Sequence, residues 1–220
     1  MNELIFFAYV CTMIVSLLIA IRMGSITLSS LVVALWVLAN LFVFKQIDLF
    51  GFSVTAADAL VVGAMLGVNL LQEFYGKEIA RKTIWASFFV LCMYVVLSLL
   101  HCAYIPNQFD TTHAAFLTLL YPMPRLVLAS LIAYLAASNT EYYLYGFLKQ
   151  MTHGRFFVVR NYATVTVSQL IDTVLFGFIG LYGVVGNLWH VIVFSYCIKL
   201  LIVFFAAPFL LLARHIKQGV

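Results

Sequence analysis

Apolar segments long enough to cross a lipid bilayer recur from one end of the chain to the other, and each is bounded by polar or charged residues. A transmembrane α-helix needs about 20 consecutive, mostly apolar residues, and its backbone hydrogen bonds are satisfied within the segment. This pattern predicts an all-α, polytopic membrane protein with about seven transmembrane helices. The predicted spans are Leu4–Ile21, Ile26–Phe44, Val54–Tyr75, Thr83–Cys102, Pro124–Lys149, Phe156–Tyr182 and Leu188–Leu212.

The composition argues against a second, soluble domain. Of the 220 residues, 65% are hydrophobic and only 9% are charged, whereas soluble proteins carry about 25% charged residues. The first apolar segment follows Glu3 rather than a basic region and lacks a small-residue cleavage site, which favours an uncleaved span over a secretory signal. We therefore expect one transmembrane domain over residues 1–220, in which an extra first span at 4–21 precedes a core of about 26–213.

The region before the fifth span is irregular. Residues His113–Leu120 are apolar but too short to cross a membrane, and the following segment Tyr121–Arg125 contains two prolines. Proline removes a backbone donor and disfavours helix at the residue before it, so we predict a break there. A longer helix is then expected to begin at Pro124, because proline is favoured in a first turn. Residues Ile105–Thr112 are predicted to form a polar loop.

The charges on the connections predict the orientation of the chain in the membrane. Positively charged residues collect in the cytoplasmic loops of membrane proteins. Connections on one side of the seven spans carry most basic residues, and the opposite connections carry Lys45 and little else. This asymmetry predicts an N-terminus outside the cell and a cytoplasmic C-terminus. The basic connections hold Arg22, Lys77, Arg81, Lys82, Lys149, Arg155, Arg160, Arg214 and Lys217.

Several classes of function find no support in the sequence. The net charge of +4 needs no nucleic-acid partner, because the basic loops account for it. The four cysteines have no C-x-x-C spacing and the five histidines lie near loop ends, so we expect no metal site. Motifs of nucleotide binding, serine hydrolases and zinc proteases are missing. We therefore predict a non-enzyme without a cofactor, whose partners are a lipid bilayer and a small molecule.

Spans two to four and spans five to seven are candidates for two related halves. With three spans each, the halves would have opposite orientations in the membrane. The third span ends in the polar run Asn69–Glu73, and the sixth contains the polar run Ser168–Asp172 at a matching position. This correspondence suggests the hypothesis of an inverted repeat of three plus three helices.

Charged side chains inside the predicted spans mark a candidate site. Asp172 lies near the middle of the sixth span and Lys199 near the middle of the seventh. A charge at that depth costs at least about 2.5 kcal/mol on insertion scales, so both side chains are expected to face the protein interior. They could form a structural ion pair, or they could line a polar cavity. Ser168 and Gln169, one turn from Asp172, favour the cavity.

A second group of polar candidates lies at the end of the third span. Glu73 could contact a ligand, or it could pair at the membrane interface with Lys77, four residues further on. Asn69, one turn before Glu73, favours a polar stripe that runs into the membrane. Gln72 lies beside them and is a candidate for the same reason.

The remaining candidates have two interpretations each. Arg125 follows the proline break, where it could anchor the helix at the interface or mark a substrate path. Asn40, inside the second span, has the same ambiguity. The aromatic residues Trp85, Tyr94 and Tyr196 could stack on a flat ligand or pack against lipid.

Four segments of the chain carry a family resemblance. The run Asn69–Lys82 reads NLLQEFYGKEIARK and matches the pattern D/N-x-x-x-E-x-Y-G-K-x-x-A-R. The other three are Pro124–Tyr134, Arg160–Phe176 and Tyr196–Pro208. In this order they resemble the queuosine-precursor transporter family, also called the vitamin-uptake-transporter family, and the resemblance covers about residues 40–208. Asn69 stands where relatives often carry Asp, which argues against a proton-carrying role at that position.

The resemblance implies a function and a location. It implies a transporter that brings 7-deazaguanine bases, such as 7-cyano- or 7-aminomethyl-7-deazaguanine or queuine, across the bacterial inner membrane into the cytoplasm. Without a nucleotide-binding motif, the expected mechanism is secondary or facilitated transport. The alternative is the substrate-binding membrane subunit of a larger energised importer. The resemblance leaves open whether the protein forms a homodimer.

A guanine-like ring suits the candidate residues chemically. Its two adjacent N–H donors suit a carboxylate such as Glu73 or Asp172. Its carbonyl oxygen suits a donor such as Arg125, Lys199 or Gln169. A substrate with a cationic side group would need a second carboxylate, and we expect Glu73 and Asp172 together to provide the two.

Overall fold

The fold is taken from a computed structural model, which describes residues 1–43, 45–120, 124–153, 155–183 and 188–218. For residues 52–53, 126–127 and 207–218 it describes the backbone alone. Within these ranges the chain forms a two-stranded sheet and eight α-helices. The helices are α1 (Asn2–Met23), α2 (Ser25–Phe42), α3 (Asp58–Phe74), α4 (Lys77–Cys102), α5 (His113–Leu120), α6 (Pro124–Met151), α7 (Phe157–Phe176) and α8 (Leu188–Gln218).

The predicted all-α, polytopic architecture is confirmed. Each predicted span corresponds to one helix of 17 residues or more, and α6 begins at Pro124, as the prolines predict. Residues 121–123, where the break is predicted, lie outside the described residues. Five helices in the described part of the chain are long and apolar enough to cross a membrane. They are α1, α2, α4, α7 together with the π-helical turn Gly177–Leu181 that continues it, and α8.

Helix α3 lies at the centre of the assembly and packs against α1, α2, α4, α6, α7 and α8. Its 17 residues span about 25 Å, less than the hydrocarbon thickness of about 30 Å. Glycines permit the close packing: a Cβ atom at Gly67 would lie 2.5 Å from Cγ2 of Val32, and one at Gly63 would lie 2.5 Å from Sδ of Met13. Most of α3 is therefore shielded from lipid, so it can carry polar side chains.

A β-hairpin precedes α3, and the sequence analysis did not predict it. Strand β1 (Gln46–Leu49) pairs antiparallel with β2 (Phe52–Thr55). Phe50 and Gly51 connect the strands with φ angles of 53° and 82°, the double positive φ of a tight type I′ turn. The prediction placed the start of the third span at Val54, because a short apolar strand next to a helix adds to the same hydropathy peak. The hairpin moves the start of the helix to Asp58.

The two ends of the helical assembly differ in charge. The basic end contains the α1–α2, α3–α4 and α6–α7 connections, where the Tyr75 hydroxyl donates to the Ile21 carbonyl over 2.7 Å. The hairpin end contains the β-hairpin, the loop 103–112 and the start of α8. There Arg125 donates to the carbonyls of Ile179 and Tyr182. The basic end carries Arg22, Lys77, Arg81, Lys82, Lys149 and Arg155.

Candidate functional site

Buried polar side chains form a stripe along α7. Arg160, Thr164, Ser168 and Asp172 follow one another at intervals of four residues, and all four are buried. Residues four apart lie above one another on the same helix face. The stripe therefore runs from near the basic end towards the hairpin end, and it meets polar groups of α3, α6 and α8 in three clusters.

The first cluster lies beside a cavity of about 260 Å³ at the hairpin end. Residues of α2, the hairpin, α3, α6, α7 and α8 line this cavity. Most of the wall is apolar, and Trp36 contributes an aromatic ring whose centroid lies 4.1 Å from that of Tyr134. The charged groups in the wall are Asp58, Asp172 and Lys199. We call these three the cavity cluster.

Lys199 holds the cavity cluster together. Its Nζ donates to Oδ2 of Asp172 over 2.7 Å and to Oγ1 of Thr173 over 3.1 Å. The same nitrogen lies 4.0 Å from Oδ1 of Asp58, whose carboxylate also accepts the hydroxyl of Ser195 over 3.2 Å. The structure combines the two alternatives for Asp172 and Lys199, because the two groups form an ion pair and both line the cavity. Two carboxylates share one ammonium, which leaves a formal charge of −1.

The second cluster, the central cluster, surrounds Glu141 of α6, whose side chain is 0% exposed. Nδ2 of Asn69 donates to one carboxyl oxygen, and the other oxygen contacts the hydroxyl of Ser168. The same Nδ2 lies 3.3 Å from Oγ1 of Thr164. Oδ1 of Asn69 is buried without a hydrogen-bond partner among the described residues.

The third cluster, the basic-end cluster, surrounds Glu73 at the end of α3. Its carboxylate lies 3.0 Å from Nζ of Lys149 and 3.2 Å from a guanidinium nitrogen of Arg160. The hydroxyl of Tyr145 donates to the same carboxylate over 2.8 Å, and Arg160 lies over the Tyr145 ring at 5.3 Å. Helices α3, α6 and α7 are therefore tied together at this end by one carboxylate and two cations.

Three predicted residues have neighbours other than those expected. Ser168 and Gln169 do not line the cavity; Ser168 contacts Glu141, and Nε2 of Gln169 lies 2.9 Å from Sδ of Met65. Gln72 is buried, and its Nε2 donates to a backbone carbonyl of α6 over 3.3 Å. On α3, the predicted row of polar residues from Asn69 to Glu73 is present. It does not form one site, because Asn69 belongs to the central cluster and Glu73 to the basic-end cluster.

The other predicted residues lie at different places. Asn40 is buried in the cavity wall, where its Nδ2 donates to a backbone carbonyl one turn earlier. Trp85 is 50% exposed on α4, away from the lining of the cavity. Tyr196 is half-buried, and its hydroxyl lies 3.4 Å from the carbonyl of Thr166. Arg125 is exposed and bonds the carbonyl groups at the end of the π turn.

The structure does not bring Glu73 and Asp172 together as a pair of carboxylates. Glu73 lies 15 residues from Asp58 along α3, which is about 22 Å of helix. Asp58 is instead the second carboxylate beside Asp172, because both contact Lys199. The hypothesis of two carboxylates around a substrate therefore applies to a different pair of residues.

Sequence reasoning did not select Asp58 or Glu141 as site residues. Asp58 lies near the start of the predicted third span, where a carboxylate is compatible with the membrane interface. Glu141 lies well inside the predicted fifth span, and an ionisable residue within a span is by itself a sign of function. That signal was available, whereas the two helices that supply the partners of Glu141, α3 and α7, could be known only from the fold.

Long apolar helices packed around buried charges, with a cavity near one end, form the arrangement of a membrane transport protein. A sequence profile described as "Putative vitamin uptake transporter" matches residues 55–213, and the chain belongs to this family of transporters rather than to a family of enzymes. The match begins at the end of the hairpin and includes all three clusters.

One curated relative adds to this family assignment. It is the "Probable queuosine precursor transporter" of Bacillus subtilis (strain 168). The two sequences are 29% identical over 183 residues, which cover 81% of this chain and 79% of the relative. No solved structure matches the chain.

Proposed function

We propose that this protein imports queuosine precursors into the cytoplasm of a bacterium by secondary or facilitated transport. The proposed substrates are 7-deazaguanine bases such as 7-cyano- or 7-aminomethyl-7-deazaguanine, or queuine. The cavity cluster carries the proposal, because it places two carboxylates and one ammonium in the wall of a mostly apolar cavity. The name of the Bacillus subtilis relative supports the substrate class.

The size of the cavity suits a flat bicyclic base. Pockets for drug-sized ligands measure roughly 300–1,000 Å³, and this cavity of about 260 Å³ lies just below that range. Trp36 offers an aromatic face in the wall, and aromatic rings stack on planar ligands. The apolar wall and the Trp36 ring would hold the ring system, and the charged groups would fix its orientation.

The charges of the cavity cluster suit a guanine-like edge. A carboxylate of Asp58 or Asp172 can accept the two adjacent N–H donors of such an edge, and Lys199 can donate to the ring carbonyl. The cluster has one carboxylate more than it has cations. That excess favours a substrate with an ammonium group, such as the 7-aminomethyl compound, over a neutral one.

The proposed orientation follows from the loop charges. The basic end would face the cytoplasm and the hairpin end the outside, which puts the N-terminus outside and the C-terminus inside the plasma membrane. The cavity then lies towards the outside, and the basic-end cluster ties α3, α6 and α7 together on the cytoplasmic side. Release into the cytoplasm would require these ion pairs to separate.

Uptake in a suitable bacterial host tests this function. The host would lack both queuosine synthesis and its own importer, and would receive this chain with a nanomolar precursor in the medium. We expect queuosine to reappear in tRNA, and we expect Asp172→Asn to abolish it at equal protein abundance. Asp110→Asn is the matched control, because Asp110 is exposed in the loop at the hairpin end.

Two other results would change the assignment. If no precursor restores the modified tRNA despite abundant folded protein, the proposed substrate class is wrong. If restoration requires an ATPase that co-purifies with the chain, the protein is the substrate-binding subunit of an energised importer.

A further inference from the structure

Glu141 differs from the other buried carboxyl groups of the clusters in having no cation beside it. Asp58 and Asp172 face Lys199, and Glu73 faces Lys149 and Arg160. In the part of the chain described with side chains, no lysine, arginine or histidine nitrogen lies within 4.0 Å of the Glu141 carboxyl. Its hydrogen-bonding neighbours are the neutral side chains of Asn69, Ser168 and Thr164.

The hydrogen bonds around Glu141 are compatible with a proton on its carboxyl group. The hydroxyl of Ser168 has a single proton, and its Oγ lies 2.6 Å from the carbonyl oxygen of Thr164. When Ser168 donates to that carbonyl, its contact with Oε2 of Glu141 needs a proton from the glutamic acid. The hydroxyl of Thr164 is likewise directed to the backbone, 2.9 Å from the carbonyl of Arg160. A protonated Glu141, accepting from Asn69 and donating to Ser168, satisfies all these contacts.

Burial favours the same protonation state. The Glu141 side chain is 0% exposed, and an ionised carboxylate without a counter-charge is strongly disfavoured in such surroundings. Asp172 and Glu73 avoid this cost through their lysine and arginine partners. In the conformation seen here, Glu141 is therefore the neutral member among the buried acids.

The position of Glu141 connects the two charged clusters. Its partner Ser168 lies one helical turn from Asp172 of the cavity cluster, and its partner Asn69 lies one turn from Glu73 of the basic-end cluster. A change in the charge of Glu141 therefore acts on both groups. Arg160, one turn beyond Thr164, is 2% exposed and has two guanidinium nitrogens without hydrogen-bond partners among the described residues.

We propose that Glu141 is the proton-binding group that couples substrate import to an inward proton gradient. This inference rests on the proposed transport function. The carboxyl group takes up one proton from the outer side and keeps it in the conformation described here. After the change of conformation it releases that proton to the cytoplasm, and the O–H bond is the one bond that forms and breaks. The resulting carboxylate finds its counter-charge in Arg160, which draws this arginine away from Glu73 and favours opening of the basic end.

Other charged and titratable groups lie on the elements that pack against α6. Several of these groups belong to the other two clusters, so a pH effect assigned to Glu141 needs variants of its own. They are Glu73 on α3, Lys77 on α4, Arg160 and Asp172 on α7, and Tyr134, Tyr142, Tyr145 and Lys149 on α6 itself.

Infrared difference spectroscopy tests the proton without any substrate. The spectrum of the full-length protein minus that of Glu141→Gln should contain the carbonyl stretch of a protonated carboxyl group at neutral pH. The exposed Glu78 provides the matched variant Glu78→Gln, which should lack this band. A carboxylate signal at Glu141 would overturn the proposal. A signal that changes when sodium replaces potassium would also overturn it, in favour of a sodium site.

Uptake into liposomes tests the coupling. The probe is radiolabelled queuine, and the measured quantity is the ratio of accumulation with and without an inward pH gradient. One proton per substrate allows about tenfold more accumulation for each pH unit. We expect this response in the wild type and in Glu78→Gln, and a ratio near one in Glu141→Gln. An equal response in Glu141→Gln would overturn the coupling. Wild-type vesicles that take up no deazaguanine at all would count against the proposed function. In that case the infrared band still shows whether Glu141 carries a proton.

Discussion

The cavity cluster and the basic-end cluster use the same chemical groups in opposite proportions. At the hairpin end two carboxylates share one ammonium beside a cavity, and at the basic end one carboxylate is held by two cations and a tyrosine. The cavity cluster has one carboxylate more than it has cations, and this carboxylate can accept hydrogen bonds from a ligand. The basic-end cluster joins three helices and uses its carboxylate internally. Under the proposed function, the ion pairs of the cavity cluster would serve for recognition and those of the basic-end cluster for closure.

The largest effect on stability is expected at Lys199. Replacing it with methionine leaves Asp58 and Asp172 buried without a counter-charge, and breaking a buried pair in this way costs about 3–5 kcal/mol. The unfolding temperature in detergent should fall steeply in Lys199→Met. Lys82→Met removes an exposed lysine at the basic end and should leave it nearly unchanged. Equal unfolding temperatures in the two variants would contradict the shared-ammonium geometry.

Glu73→Gln is expected to loosen the basic end and leave the cavity wall in place. Hydrogen bonds to charged groups contribute about 1.5–3 kcal/mol each, and this variant weakens those with Lys149, Arg160 and Tyr145. Hydrogen exchange followed by mass spectrometry should show faster exchange in the first turn of α7. Faster exchange confined to the hairpin end would mean that the two clusters do not have separate roles.

A matched pair of glycines compares how tightly the two regions are packed. A Cβ atom at Gly177, in the cavity wall, would lie 2.7 Å from Cγ1 of Ile192, a β-branched side chain with little freedom. At Gly146, near the basic end, it would lie 3.1 Å from Nε2 of Gln72 and from the end of the exposed Lys77 side chain, contacts that need a smaller shift than the one at Gly177. Gly177→Ala should therefore cost about 1–3 kcal/mol and lower uptake. Thermal unfolding and uptake should change much less in Gly146→Ala; the reverse order would contradict the packing.

The smallest effect is expected from a carboxylate outside both clusters. Asp110 accepts the backbone N–H of Thr112 over 2.7 Å, and this bond holds the pKa of Asp110 below its ordinary value. Such a group stabilises the fold above its unfolded pKa, and its contribution is lost only as the pH falls through the lowered folded pKa. Between about pH 5 and 8, Asp110→Asn should therefore leave the pH profile of uptake unchanged. A shifted profile would place part of the pH dependence in the loop.

The spans of this fold could be predicted from the sequence because lipid imposes one requirement on every segment. Hydropathy located the helices and the prolines located the start of α6. Two isolated charges in neighbouring spans indicated that Asp172 and Lys199 face the interior, as an ion pair or in a cavity wall. The hairpin could not be predicted in this way, because its apolar residues merge with the hydropathy of α3. The inverted repeat stays a prediction.

The division of the polar residues into three clusters depends on tertiary contacts. Nothing in the local sequence says that Ser168 meets Glu141 while Asp172, four residues later, meets Lys199. That difference arises because α6 and α8 pack against successive turns of the same face of α7. The sequence could identify Ser168, Gln169 and Asp172 as polar residues within one span, but only the packing assigns each of them to its partner.

Ligand binding to the purified protein tests whether the substrate occupies the cavity cluster. Isothermal titration with 7-aminomethyl-7-deazaguanine would compare the wild type with Asp172→Asn and Glu73→Gln, and Asp110→Asn would serve as the control. Loss of a charge-assisted bond in the cavity cluster should weaken binding by at least about tenfold. We predict this weaker binding for Asp172→Asn, and we expect Glu73→Gln to weaken binding less. Weaker binding in Glu73→Gln than in Asp172→Asn would place the substrate at the basic end and contradict a binding site in the cavity.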